Sequence, residues 1–513
     1  MGRTKNASKN LLFGTIYRFI LLLAPFAVRT VMIKTLGVEY VGLGSLFSSI
    51  LNVLNLAELG LNSAIVFTMY GAIATNDKQQ IKQLMSFYRK TYRIIGIIVL
   101  AGGCIVAPFL DYFISGDVPA DINKYIVYFM MLISTSLTYF LFAYKTCLFT
   151  AHQRSDVPSK IGSVITLALN VTQCILLLLF KNYYFYLIVI PVSTIANNLI
   201  LALLCSKKYP EYKPDGELPP EIKKSIKKKV SSLFVYKLGS IVLSSVDAIV
   251  ISTFLGLTIL GKYNNYYYII TALFGFFEVY YNSMTAGIGN SIKLESKQKN
   301  KKDFNRLFMI QGWIVTWCST CLFCLYQPFM RIWVGESLMF PIFVPICLTI
   351  LFFVWKMMDV VNVYKNAAGL WEFDKWRPLI AAIFNLAINL VLVQFIGIYG
   401  IIISTIASII IIIFPWSTFV LFKHFFNEGN YKKAFLEYTL KLFKFLIVST
   451  STVVSTYFIC TLIPDLSIWH LLFKAAICIV FPNIILLCVF PFFHDFAETK
   501  EWIFLRIREA IKK

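Results

Sequence analysis

The feature that most limits this chain is a long series of apolar runs, each about twenty residues, the length that matches the hydrocarbon thickness of a bilayer. Fourteen runs are read, over residues 11–33, 41–69, 90–110, 124–148, 157–180, 184–206, 231–255, 263–290, 307–330, 338–365, 377–396, 398–422, 441–463 and 468–490. Hydrophobic residues make up 58% of the 513, and charged residues only 14%; a soluble domain runs at roughly 45–50% and about 25%. That excess cannot be hidden in a soluble core, so it must face lipid. The expected fold is an all-α integral membrane protein with about fourteen transmembrane helices. Residues 1–10 are basic and polar, but the run after them is too long for a signal-peptide core and has no small-residue cleavage site, so no cleavable signal is expected.

The net charge of +22 would suit a nucleic-acid binder, but its distribution argues for a membrane. Basic residues fall on alternate loops. One set holds Arg3, Lys5 and Lys9, then Lys78, Lys82, Arg89, Lys90 and Arg93, then the runs 207–229 and 293–306, then Lys432, Lys433 and the tail residues Arg506, Arg508, Lys512 and Lys513. The opposite loops hold only Lys34, Lys124, Lys181, Lys262 and Arg331, and include Asp111, Asp117 and Asp121. The positive-inside rule then puts both termini in the cytoplasm, with the excess charge facing anionic lipid. No loop is long enough for a basic folded domain, so no nucleic-acid partner is expected. Residues 491–513, with Trp502, Ile503, Leu505 and Ile507 among basic neighbours, read as an interfacial helix.

The chain contains a repeat. Tyr17, Leu36, Gly37 and Gly42 match Tyr236, Leu255, Gly256 and Gly261 at one offset of 219 residues, and Arg18 matches Lys237. With one further residue of shift, Glu58, Asn62 and Ser63 match Glu278, Asn282 and Ser283. Each repeat holds six spans, an even number, which implies parallel repeats about an axis along the membrane normal. The expected organisation is a six-helix bundle over 1–206, a basic linker over 207–230 rich in proline, a second six-helix bundle over 231–423, and two extra spans with a basic tail over 424–513. Such an architecture places a substrate site between the bundles.

Ionisable groups at membrane depth mark pathways. They are Arg18 and Arg29 in the first span, Glu58 in the second, Lys237 and Asp247 in the seventh, Glu278 in the eighth, and Lys356 with Asp359 in the tenth. Arg18 and Arg29 share a helix face about 16 Å apart. Asn52, Asn55, Glu58 and Asn62 fall in a sector of about 120°, and Lys237, Ser240, Ser244 and Asp247 in one of about 80°. Polar stripes on repeat-related spans suit a hydrated cavity, extended in the second half by Asn282 and Asp359. Guanidinium binds phosphate oxygens as a fork and ammonium as a point charge, so Arg18, Arg29, Lys237 and Lys356 are the expected contacts for a lipid diphosphate. The acidic groups are the candidates for coupling to a proton or a sodium ion. Plainer readings stand beside these: Arg29 near a span end can snorkel, Lys356 and Asp359 three apart can pair locally, and Glu58 and Glu278 can simply bond between helices.

The eleven Cys fall mostly in apolar runs, and Cys318, Cys321 and Cys324 form a loose helical stripe with no His nearby. They read as small membrane residues, and no metal or other cofactor is expected. There is no P-loop and no soluble catalytic domain, so no enzymatic activity is expected.

Residues 36–65, LGVEYVGLGSLFSSILNVLNLAELGLNSAI, resemble the first helical hairpin of the polysaccharide repeat-unit flippases in the multidrug/oligosaccharidyl-lipid/polysaccharide exporter superfamily. The resemblance continues in DAIVISTFLGLTILGKY from Asp247, NSMTAGIGN from Asn282, PFMRIWVG from Pro328 and AAGLWEFDKWRPL from Ala367. It implies two six-helix bundles forming a V-shaped central cavity. It also implies outward transport of undecaprenyl-diphosphate-linked oligosaccharide across a bacterial cytoplasmic membrane, for O-antigen, capsule or exopolysaccharide. Glycosyltransferases and a polysaccharide polymerase would be partners. A lipid II flippase shares the phosphate logic and the fold. A cation-coupled multidrug exporter would favour acidic cavity groups, and a non-transporting scaffold would not need buried charges in matched positions.

Overall fold

A computed structural model describes the backbone of residues 2–58, 60–426, 430–465, 467–493 and 495–511. Within these, the side chains of residues 2–12, 15, 18, 56, 57, 232, 233, 286, 503, 506, 507 and 509–511 lie outside the described set. Among the described residues every regular element is helical. All fourteen expected runs fall on helices. Among the described residues ten helices, or eleven with one pair bent by 48°, are long and apolar enough by themselves to cross a membrane. The protein is thus a multi-pass membrane protein.

The first compact unit covers residues 1–265 and the second 266–513. The first holds α1 (Gly2–Thr35), α2 (Val38–Leu54), α3 (Leu61–Ala74), α4 (Lys78–Val106), α5 (Lys124–Phe140), α6 (Thr146–Ala151), α7 (Asp156–Phe180), α8 (Tyr183–Lys208), α9 (Pro220–Leu255) and the start of α10 (Leu257–Leu294). The divide falls inside α10, not in the 207–230 loop. The reason is packing: α9 lies against α2 and α3, so contacts join the seventh span to the first unit although the sequence repeat begins with it. Elsewhere in this unit α1 packs on α7, α7 on α8, and α5 on α4 and α8.

Several helices begin on capping side chains that accept from otherwise orphaned backbone N–H groups. Asp77 takes the N–H of Gln80 to open α4, Asn123 those of Tyr125 and Ile126 to open α5, and Asn182 those of Tyr184 and Phe185 to open α8.

The repeat is written into the packing where α2 meets the start of α10. A Cβ on Gly42 would stand 2.2 Å from the Leu257 carbonyl oxygen, and one on Gly261 would stand 2.2 Å from the Val38 carbonyl oxygen. Gly42 and Gly261 are repeat mates, and so are Val38 and Leu257. The two contacts therefore exchange under the 219-residue shift, as pseudo-two-fold symmetry requires. Small residues let helix backbones approach this closely in lipid, where no hydrophobic force drives them together. Thr258 adds a hydrogen bond to Glu39, Oγ1 to Oε1, at 3.0 Å.

The second unit holds the rest of α10, α11 (Lys297–Val334), α12 (Phe343–Met357), α13 (Asp359–Ala367), α14 (Trp371–Asp374), α15 (Arg377–Ile396), α16 (Ile398–Ser408), α17 (Phe414–Leu421), α18 (Tyr431–Thr461), α19 (Ile468–Val489) and α20 (Phe496–Ile511). A π-helical stretch, Ile409–Ile413, joins α16 to α17. Here α11 is the hub, packed on α12, α18 and α19. Gly312 makes room for the Phe445 ring, since a Cβ there would stand 2.2 Å from its Cε1. Trp313 and Trp317 donate their indole N–H groups to Asn483 Oδ1 at 2.8 Å and to the Cys478 carbonyl at 3.0 Å. These contacts fasten the two spans outside the twelve-span repeat onto α11.

Candidate functional site

Three expected spans are interrupted, and polar groups gather at two of the interruptions. The second span does not run straight. After α2 the chain makes a 3-10 turn, Asn55–Glu58, and resumes as α3 beyond Gly60, whose φ of 84° is the left-handed region a glycine enters without strain. A break frees backbone groups that a continuous helix would bond internally, and such breaks at membrane depth are tolerated only where protein or water satisfies them.

This break turns Glu58 into a cluster of phenols. Tyr139 donates to Glu58 Oε2 at 2.9 Å, and Tyr92 donates to Oε1. Tyr139 also lies 3.1 Å from Asn55 Oδ1, and Tyr88 donates to Tyr92 at 2.9 Å. The rings hold one another edge-on, with centroids 4.5 Å apart for Tyr88 and Tyr92 and 5.5 Å for Tyr92 and Tyr139. The half-buried carboxylate is thus held by neutral hydroxyl donors from α4 and α5. Among the described residues no cation stands at ion-pair distance from it. The straight polar stripe expected for this span is replaced: Asn55 and Glu58 turn into the tyrosine cluster, while Asn52 and Asn62 are exposed on separate helices. The helical-wheel argument fails here because the helix ends at Leu54.

The seventh span keeps its stripe, because α9 is one unbroken helix. Lys237 and Asp247 are half-buried and Ser240 and Ser244 exposed. In the first span, Arg29 Nη1 donates to Asn265 Oδ1 at 3.2 Å, so its guanidinium is engaged within the first unit as well as placed near a helix end. The Arg18 side chain lies outside the described residues. In the second unit Glu278 and Asn282 are exposed on α10. Lys356 is 5% exposed; its Nζ lies 2.8 Å from Asp359 Oδ2 and 4.3 Å from the Phe274 ring centroid. The pair straddles the junction of α12 and α13, and Gln311 Nε2 donates to the Lys356 carbonyl at 2.8 Å. The local pairing weighed from the three-residue spacing is therefore the arrangement adopted. The structure thus joins Asn55 with Glu58, and Lys356 with Asp359. Arg29 and Lys237 stay in the first unit, and Lys356 in the second.

Two buried charge clusters were not singled out by the sequence reading. Asp374 is 0% exposed and receives Arg377 as a fork, Nε to Oδ1 at 2.7 Å and Nη2 to Oδ2 at 3.0 Å. Lys365 Nζ adds a bond to Oδ2 at 2.5 Å and reaches Ser417 Oγ at 3.3 Å. In the first unit the fully buried Asp156 receives Arg154, Nε to Oδ1 at 2.8 Å and Nη2 to Oδ2 at 3.2 Å, with Lys160 Nζ at 3.9 Å. Both clusters sit where the fourth span of a repeat turns into the fifth, and Pro158 and Pro378 follow them near the start of α7 and α15. The signal was present: Asp374 and Arg377 lie inside the stretch that carried the family resemblance, but charges in a loop read as solvated. A third group, the thiols of Cys324, Cys460 and Cys478, is brought together from three helices.

A chain of membrane-spanning helices with an internal repeat, broken spans and polar groups at the breaks has the architecture of a secondary transporter. Its overall fold is similar to a lipid II flippase, MurJ, in an inward closed conformation, with a TM-score of 0.61 and 14% identity over 92% of this chain and 97% of that one. It is also similar to an inward-facing multidrug resistance MATE family transporter of the MOP superfamily, with a TM-score of 0.52 and 12% identity over 84% and 95%. A MATE transporter from Vibrio cholerae matches with a TM-score of 0.52 and 14% identity over 85% and 98%. No curated protein sequence matches the chain. Residues 7–286 match the family described as polysaccharide biosynthesis protein, and the chain belongs to that family.

Proposed function

We propose that the protein is a flippase that carries an undecaprenyl-diphosphate-linked oligosaccharide repeat unit from the cytoplasmic to the outer leaflet of a bacterial cytoplasmic membrane, by alternating access. The observation that carries this reading is the membership of a polysaccharide biosynthesis family in a chain whose fold is that of MurJ and the MATE transporters. Flipping such a lipid needs no covalent step. It needs a hydrated path for the sugar, cations for the diphosphate, and lipid beside them for the tail.

The cations proposed for the diphosphate are Arg18, Arg29 and Lys237, on the repeat-related first and seventh spans. Lys356, paired with Asp359, serves it only if that pair opens. Glu58 is the group proposed to exchange a proton or sodium ion during the cycle, because among the described residues hydroxyls and no cation hold it. Asp247 and Glu278 belong to the same proposal. Glycosyltransferases supply the substrate and a polymerase consumes it; both termini and the 207–230 loop are proposed to be cytoplasmic, on the alternation of basic loops.

Complementation tests this reading. A strain lacking its own repeat-unit flippase is expected to regain surface polysaccharide with this protein and not with an Arg18→Ala variant present at equal membrane level. Undecaprenyl-linked oligosaccharide should then accumulate on the cytoplasmic side. Restored peptidoglycan precursor flow in a strain lacking its lipid II flippase, without restored polysaccharide, would support the lipid II reading instead. Efflux of cationic drugs alone would support the multidrug reading.

A further inference from the structure

Cys324 on α11, Cys460 on α18 and Cys478 on α19 are far apart in sequence, yet their sulfurs all lie within 4.8 Å of one another. Cys324 and Cys460 are 2% exposed and Cys478 0%. Their surroundings are the partly buried Leu325, Tyr457 and Ile477, together with Cys321 one turn before Cys324. None of the four is bonded to another, since all are free thiols. Here three of the chain's eleven cysteine sulfurs lie together, from three separate helices.

The spacing is that of a metal site. An ion about 2.3 Å from each sulfur at the centre of a trigonal plane sets the sulfurs about 4.0 Å apart. Cys460 and Cys478 Sγ are 3.9 Å apart. A disulfide between them would need the sulfurs to close to about 2.05 Å, whereas a bound ion holds this pair as it stands and draws in the third sulfur, which lies within 4.8 Å of both. Thiolates are soft ligands that select Cu(I) and Zn(II) over harder ions.

The protons released distinguish the two ions. Three thiolates around Zn(II) leave one net negative charge after release of three protons. Two thiolates and one thiol around Cu(I) leave the same charge after release of two. Lys474, 4% exposed, is paired with Asp465. Asp465 is shared with Arg331, whose Nη1 lies 3.6 Å from its Oδ2 and whose Nε lies 3.0 Å from Glu336 Oε1, so two cations and two carboxylates balance beside the thiols. Cys460 stands at the last turn of α18, beside the connection to α19.

We propose that Cys324, Cys460 and Cys478 form a three-sulfur site for a thiophilic d10 metal ion, Zn(II) or Cu(I), which ties the extra α18–α19 hairpin to α11. The site is independent of the transport reading.

The test uses the full-length protein, purified in detergent, fully reduced and kept free of oxygen. It is equilibrated with Zn(II) or Cu(I) in separate arms, desalted and assayed for metal per chain. Wild type is expected to retain one ion, and protons released on binding identify it as Zn(II) by three or Cu(I) by two. A Cys324→Ala/Cys460→Ala/Cys478→Ala variant should retain none. A Cys104→Ser/Cys488→Ser variant, which alters two exposed thiols, should retain the ion. Wild type empty in both arms, retention unchanged in the triple Ala variant, or a Cys460–Cys478 disulfide in protein purified without reductant would each overturn the proposal. The wild-type arms decide the matter even if the triple variant does not fold.

Discussion

Gly42→Ala and Gly261→Ala probe the repeat where it touches itself. In Gly42→Ala the new methyl would stand 2.2 Å from the Leu257 carbonyl oxygen, 3.0 Å from its carbon and 3.2 Å from the Gly261 nitrogen. Ordinary contact begins near 3.4 Å, and all three of these atoms belong to backbone that no rotamer change removes. The α2–α10 crossing must therefore open by roughly 1 Å, an overpacking that typically costs about 1–3 kcal/mol. Gly261→Ala presses on the Val38 carbonyl and forces the same separation from the other side, so its effect should be nearly equal. Once one methyl has opened the crossing, the second finds part of its room made. The double variant should then lose less than the sum of the two singles, with a coupling of about 0.5–3 kcal/mol. Unfolding of the detergent-solubilised single and double variants, followed by denaturant or heat, measures all three values. Singles within about 0.5 kcal/mol of wild type, or strictly additive effects, would refute a close crossing at these glycines.

Asp374→Asn strands Lys365 and Arg377 in a buried site, and loss of one partner of such a group typically destabilises by about 3–5 kcal/mol; the amount of folded protein in membranes should fall sharply, and wild-type levels and unfolding would contradict the cluster. Lys356→Met alone leaves Asp359 buried without its cation and should destabilise more than Lys356→Met/Asp359→Leu, since exchanging a whole buried pair for apolar residues is often neutral; the reverse ranking in an unfolding series would show that the pair is not the stabilising unit. Tyr139→Phe removes one of the two hydroxyls that hold Glu58, a loss of about 1.5–3 kcal/mol for a bond to a charged group, and should shift the pH dependence of transport where Tyr88→Phe, one bond further away, shifts it less. Equal shifts would detach Glu58 from the proton. Reporter fusions after Lys229 and after Asp117 should report opposite sides of the membrane, and one side for both would break the span order.

Apolar runs made the helices legible, because twenty residues without charge leave a membrane span as the simplest outcome. The repeat was equally legible, and its matched pair Gly42 and Gly261 proved to be a real crossing. What the sequence hid was every place where a span stops midway. Residues 41–69 read as one run because Asn55 and Glu58 interrupt hydropathy too briefly to register, yet the helix ends at Leu54 and only Gly60 restarts it. The same holds for α5 and α6, and for α12 and α13 at Met358. Convergence was hidden too. Tyr92 and Tyr139 sit on different helices from Glu58, and Cys324, Cys460 and Cys478 lie far apart in the chain, so nothing in local spacing joins them. Lys356 and Asp359 were foreseen as a pair because they are near neighbours. Asp374 with Lys365 needed the turn between spans to fold back, which no periodicity encodes.

Flipping in a purified system is the direct test of transport by this protein. Vesicles containing only this protein are loaded in one leaflet with undecaprenyl-diphosphate-linked oligosaccharide, and the sugar reaching the other leaflet is read by its accessibility to a membrane-impermeant sugar-cleaving enzyme. The account predicts transfer well above that of protein-free vesicles, weakened by Arg18→Lys, which replaces a planar fork with a point charge, and weakened further by Arg18→Ala. Transfer no faster than in protein-free vesicles, under both an imposed proton gradient and an imposed sodium gradient, would contradict it.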